Sequence, residues 1–412
     1  MTIQNPSPEK PSRFFYGYLI VAIALLIMLI GYGIRTIFGV FFKPMLADFD
    51  WTRALTSGAL TLSMITQGIW GIFMGRLNDK FGPRLLITLC CFLMGLGFLL
   101  MSQIQHAWQL YLFYGVIAGL GMGGVFVILL STVARWFVKR RGIMMGVVLT
   151  GIGLSSLVMS PFATWLIAVY DWRTSYVVVG AMVLVLGILF AQFLKRDPSS
   201  IGLKPYGHIE SKDQQIHIDV RGLSLKEAVG TWQFWITGGC FVLIGYCLFG
   251  IMIHIVPHVT DIGISPAEGA LILGLIGAGN IIGGIPLGGV ADKIGNRQML
   301  VINFVLTGIA VFIIMITRDV WIFYLAALIF GIGNGASGVA EPTLVAELFG
   351  LKAHGLILGV VSFLFTVGGA IGPLATGYLF DINQNYNTAF LICGITCFAG
   401  LVLTLLLKPI KR

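Results

Sequence analysis

Two ionisable side chains sit well inside long apolar runs of the sequence: Arg35 in GYGIRTIFG and Glu341 in SGVAEPTLVAELFG. A charge in hydrocarbon costs at least a few kcal/mol, so such residues face a cavity or a partner and are candidates for function. The planar guanidinium of Arg35 could take an organic carboxylate through two parallel hydrogen bonds. Its alternative is to snorkel outward or pair internally. Arg35 lies nine residues before Pro44, or about 13 Å along a helix axis. Glu341 precedes Pro342, which frees a backbone carbonyl and loosens a helix locally. A carboxyl in a low-dielectric cleft takes up a proton nearer neutrality than a solvated one, which makes Glu341 a proton-coupling candidate. A salt bridge with Arg135 or Lys139 is the plainer reading, and Glu347, nearer a loop, reads as structural. His254, in IHIVPHVTD with His258, is a second proton-coupling candidate, although a polar interface residue is the commoner outcome. Tyr32, Gln67, Tyr246, Asn280 and Asn334 could complete a substrate pocket, but each alone is more often glue between helices.

The elements that must position these groups are membrane spans. The chain has 412 residues, 57% hydrophobic and only 10% charged, with a mean hydropathy of +0.94. Soluble domains run near 45–50% apolar with about a quarter charged, so a water-soluble enzyme is excluded. Apolar segments are expected at 16–42, 51–75, 85–104, 108–138, 142–169 and 174–194. A second set is expected at 232–256, 267–290, 299–316, 321–349, 356–380 and 388–407. Each is long enough to cross a bilayer, and the abundant glycine, 54 residues, suits close helix packing. The expected fold is an all-α membrane protein of twelve transmembrane helices in two six-helix halves. Its parts are a tail at 1–14, halves at 15–194 and 231–408, a polar linker at 195–230 and a tail at 409–412. Of the 26 lysines and arginines, 21 fall in the tails, the linker and the loops on one side. That asymmetry places both termini in the cytoplasm and explains the +9 net charge without a nucleic-acid partner. The six cysteines lie in apolar stretches with no metal-ligand spacing, so neither a disulfide framework nor a metal site is expected.

The halves repeat at an offset of about 212 residues. GRLNDKFGPR (Gly75–Arg84) matches GGVADKIGNR (Gly288–Arg297), TVARWF matches LVAELF, RGIMMGVV matches HGLILGVV, and Pro161 matches Pro373. Six helices separate the copies, so they share one topology, as in transporter halves related by an axis along the membrane normal. In the duplicated loop, Gly75 and Gly288 would let helices approach closely. Asp79 and Asp292 would sit at positive helix N-termini, and Arg84 and Arg297 would pair with them. Such contacts would hold one state of a rocking machine shut; the bland alternative is that they anchor loops at the headgroups.

These two loops resemble the signature loop of the major facilitator superfamily, and the two-half plan covers the whole chain. GVFFK with DFDWTR, GVIAGLG, FVKRRG and DWRTSY are similar to the monocarboxylate transporter branch, with the oxalate–formate antiporter branch also close. The resemblance places Arg35 and Glu341 on helices that line the central path. That branch carries a cationic residue on helix one, which aligns with Thr36 or one residue before it. It also carries a helix-eight arginine and, in animal members, an acid one turn earlier; here these positions are Gly284 and Asn280. The departure moves weight onto Arg35.

The expectation is a monomeric secondary active transporter in the cytoplasmic (inner) membrane. It would move a small monocarboxylate-like anion by alternating access, coupled to a proton. Rivals are a proton-driven exporter of a hydrophobic or cationic compound, a carboxylate exchanger without proton coupling, and a receptor that binds without moving its ligand. No Walker motif or nucleotide-binding loop follows a strand, so primary pumping is excluded in this chain and no cofactor is expected.

Overall fold

The computed structural model describes residues 15–51, 53–207 and 222–408. The tails at 1–14 and 409–412 and the middle of the linker therefore lie outside the described residues. The first half contains α1 (Tyr16–Phe49), α2 (Arg53–Phe81), α3 (Pro83–Met101), α4 (Ala107–Trp136), α5 (Arg141–Val169) and α6 (Trp172–Ala191). The second contains α7 (Trp232–Asp261), α8 (Pro266–Ile294), α9 (Asn296–Ile316), α10 (Val320–Phe349), α11 (His354–Asn383) and α12 (Asn387–Leu406). In lipid every backbone polar group must be satisfied within the segment, which makes helices of apolar runs this long.

Among the described residues, eleven helices are long and apolar enough to cross a membrane. The exception is α2. It carries Gln67, Asn78, Asp79 and Lys80, and it is wedged between α4 of its own half and α11 of the other. Contact with protein accommodates polar groups that lipid would reject.

Helix ends overshoot the apolar runs because polar residues cap them. Asp50 closes α1 in a left-handed conformation, its N–H donating to Leu46 O. The Asp171 carboxylate accepts from Thr174 N at the start of α6, and Ser265 with Glu268 forms a capping box on α8. Gly82 and Gly295 adopt φ of +80° and +97° between α2 and α3 and between α8 and α9. These are the second glycines of the duplicated loop, at turns an L side chain rarely adopts.

Within each half the first helix packs on the fifth and the second on the fourth. Between halves, α2 packs on α11 and α5 on α8. The backbones there nearly touch: a Cβ on Gly75 would collide with Gly355 O, and one on Gly142 with Gly288 O.

Candidate functional site

A cavity of about 110 Å³ lies between the halves, lined by α1, α2, α4, α7, α10 and α11. Arg35 and Glu341 both line it, with Tyr32, Gln67, Ser362 and Thr366 as further polar groups. Met64, Phe126, Phe249, Phe363 and Phe365 supply an apolar wall. The Arg35 guanidinium donates to Met64 Sδ at 3.7 Å and stands 5.8 Å from the centre of the Phe249 ring. It makes no ion pair with a carboxylate among the described residues. Glu341, only 5% exposed, accepts a hydrogen bond from Ser362 Oγ of α11. Arg135, its alternative partner, is instead bound to Asp79. The cavity thus offers a guanidinium to an anion, a buried carboxyl to a proton, and aromatic faces to an apolar body.

The other expected residues lie elsewhere. His254 faces inward to its own half, with Nδ1 3.3 Å from Tyr386 Oη and Nε2 3.1 Å from Pro373 O. A carbonyl only accepts, so Nε2 carries the proton and Nδ1 accepts from the tyrosine. His258 is buried among Phe323, Tyr386 and Phe390. Asn334 donates to Phe330 O one turn back on its own helix. The Asn280 side chain is exposed while its backbone presses on Gly331 and Gly335 of α10. Tyr246 lies on α7 outside the cavity lining, its carbonyl against Gly372 of α11.

The duplicated loops join the halves on the face that carries the linker. Asp79, at the end of α2, accepts from Gly355 N and Leu356 N at 3.1 Å each, the first turn of α11. Asp292, at the end of α8, accepts from Gly142 N at 2.8 Å and Ile143 N at 3.2 Å, the first turn of α5. Each carboxylate meets the positive end of a helix in the opposite half. The expected pairing with Arg84 and Arg297 is not what forms. Arg84 donates to Gln192 Oε1 near the end of α6, and Arg297 to Thr404 O and Leu405 O at the end of α12. The positive-φ glycine before each reverses the chain, so each arginine opens a new helix and reaches the carbonyl end of the last helix in its half. The Asp79 partner is Arg135 of α4, at 2.8 Å, which also donates to Leu351 O.

The linker's described ends are ordered against these same joints. Tyr206 exchanges backbone bonds with Trp136, Val138 and Lys139, and Leu223 N donates to Phe349 O. Arg196 donates to Asp79 O at 2.6 Å.

Sequence reasoning missed Ser362, Phe249, Met64 and His354, and it offered Arg135 as a partner for Glu341 rather than for Asp79. A signal for Ser362 was present: by the TVARWF/LVAELF and RGIMMGVV/HGLILGVV matches, Glu341 and Ser362 correspond to Leu129 and Leu149. Polarity in one half against aliphatic side chains in the other marks a place where the symmetry is broken.

Two six-helix halves surround a central cavity and are joined at one face by symmetric carboxylate–helix contacts, an arrangement that suits a membrane transporter. The sequence matches the Major Facilitator Superfamily over residues 23–258 and 234–412, and the chain belongs to that family. It is 27% identical to Monocarboxylate transporter 13 of Rattus norvegicus, over 95% of this chain and 89% of that one. It is 26% identical to Monocarboxylate transporter 11 of Homo sapiens, over 97% and 84%. Its fold is similar to that of the proton:xylose symporter XylE bound to 6-bromo-6-deoxy-D-glucose, with a TM-score of 0.76, 13% identity and coverage of 95% and 96%. The chain is a multi-pass membrane transporter related to the monocarboxylate transporters.

Proposed function

We propose that the protein moves a small organic anion with one carboxylate across the cytoplasmic (inner) membrane by alternating access, together with a proton. The observation that carries this reading is that Arg35 and Glu341, far apart in sequence, line one cavity between the halves. Arg35 takes the carboxylate and Glu341 the proton, with Tyr32, Gln67 and Thr366 offering further polar contacts. The distribution of lysine and arginine sets the linker face as cytoplasmic. With that face closed by the Asp79 and Asp292 contacts, the cavity belongs to a state that serves the outside. The unit is the monomer, since both halves are in one chain.

The aromatic wall favours one rival, export of a hydrophobic or cationic compound, for which Arg35 would be an obstacle. Purified protein in liposomes, assayed with labelled pyruvate, benzoate and a lipophilic cation under an inward proton gradient, separates the two. Accumulation of a monocarboxylate that collapses with a protonophore is the expected result. Cation movement with no carboxylate uptake would replace the proposal with the exporter.

A further inference from the structure

The two cytoplasmic joints are alike in their carboxylate–helix contacts but not in what stands behind them. His354 is the first residue of α11, directly before the two amides that Asp79 holds. Its side chain is 0% exposed. Nε2 lies 2.9 Å from Pro342 O, and Nδ1 has no partner. The carbonyl requires Nε2 to be the donor. Pro342 follows Glu341, and Glu341 is itself bonded to Ser362 two turns further along α11. Two rungs therefore tie α10 to α11: Glu341 to Ser362 at the cavity, and His354 to Pro342 at the joint. By the TVARWF/LVAELF and RGIMMGVV/HGLILGVV matches, the other joint has Leu129, Leu130, Arg141 and Leu149 in place of Glu341, Pro342, His354 and Ser362. There Arg141 donates to Phe137 O in the preceding loop, and neither rung exists.

We propose that His354 is a positioning residue that transmits the charge state of Glu341 to the Asp79 joint, so that protonation in the cavity loosens that joint and not the Asp292 joint. It rests on the proposed role of Glu341 as the proton site. A hydrogen bond to a carboxylate is roughly twice as strong as one between neutral groups, so neutralising Glu341 weakens the upper rung. His354 then carries the displacement to the helix start. The charged or titratable groups facing this pathway are Arg35 and Tyr32 across the cavity from Glu341, and Arg135 and Arg141 beside His354.

The experiment is amide hydrogen exchange on the purified full chain without substrate, which reads local opening directly. It follows the amides of Gly355 and Leu356, with those of Gly142 and Ile143 as the internal control. Glu341→Gln is expected to lower protection at Gly355 and Leu356 by about threefold or more and to leave Gly142 and Ile143 unchanged. In a His354→Phe background, which fills the space without a donor, the same change should have no effect on Gly355 and Leu356. In His354→Gln, which keeps a donor at similar reach, the effect should return. Should His354→Phe not fold, His354→Asn, whose amide stops short of Pro342 O, takes its place. The inference is overturned if Glu341→Gln loosens both joints equally or neither, or if its effect survives without the donor. Failure of the carboxylate reading would show in the uptake assay alone, since this measurement uses no substrate.

Discussion

Arg35 is a cation in a cavity wall whose near neighbours are a thioether and a phenyl ring rather than a carboxylate. A charge-assisted pair with a substrate carboxylate contributes about 1.5–3 kcal/mol net, so Arg35→Ala should weaken monocarboxylate binding roughly ten- to a hundredfold. Arg35→Lys should restore only part of this, because an ammonium cannot make the planar two-point contact. Titration calorimetry with a carboxylate that the unmodified protein binds checks both, and undiminished affinity in Arg35→Ala would dismiss the assignment. Glu341→Gln should leave substrate exchange at equal pH intact and abolish accumulation driven by a pH gradient; a mutant that still concentrates substrate places the proton elsewhere. Both residues are legible in the sequence because a charge inside an apolar run is a local signal. Phe249, Met64 and Phe363 are not, since an apolar side chain looks the same whether it lines a cavity, packs in a core or meets lipid.

The helix ends show where local reasoning reached and where it stopped. The positive glycine turns at Gly82 and Gly295 and the aspartates before them are readable as a duplicated motif. The partners are not: an arginine five residues from an aspartate suggests a pair, yet the intervening turn sends Arg84 and Arg297 to the ends of α6 and α12. The carboxylates instead cap helices of the opposite half, a relation across a large sequence distance that no local pattern carries. Both Asp79→Asn and Asp292→Asn should lower turnover severalfold with substrate affinity nearly unchanged. Asp79→Asn should be the more severe, because Asp79 also holds the buried Arg135 guanidinium, and stranding a buried charge is costly. Transport kinetics on the two variants check the order. Losses confined to KM would mean that these contacts shape the binding site rather than the closing of the face.

At the scale of the whole molecule, the fold was readable because bilayer thickness dictates segment length, and the repeat dictates that the halves share one topology. Which face is closed was not readable, because it depends on how two rigid halves meet. Here α2 meets α11 and α5 meets α8 from the linker face inward, as far as Gly68 against Phe363 and Thr366 and Gly153 against Ile281. Thr366 lines the cavity at the inner end of these contacts. A cysteine introduced there, Thr366→Cys, should react with an impermeant thiol reagent added from the face opposite the linker. The six native cysteines are buried and should contribute little background. Each capping carboxylate contributes about 0.5–2 kcal/mol. Removing both with Asp79→Ala and Asp292→Ala should therefore move the balance toward opening on the linker face by a factor of roughly five to several hundred. Labelling from the far face should fall and labelling from the linker face should rise in the same preparation. Equal labelling with and without the two carboxylates would mean that the packed glycine faces, and not the charges at the helix ends, decide which side is shut.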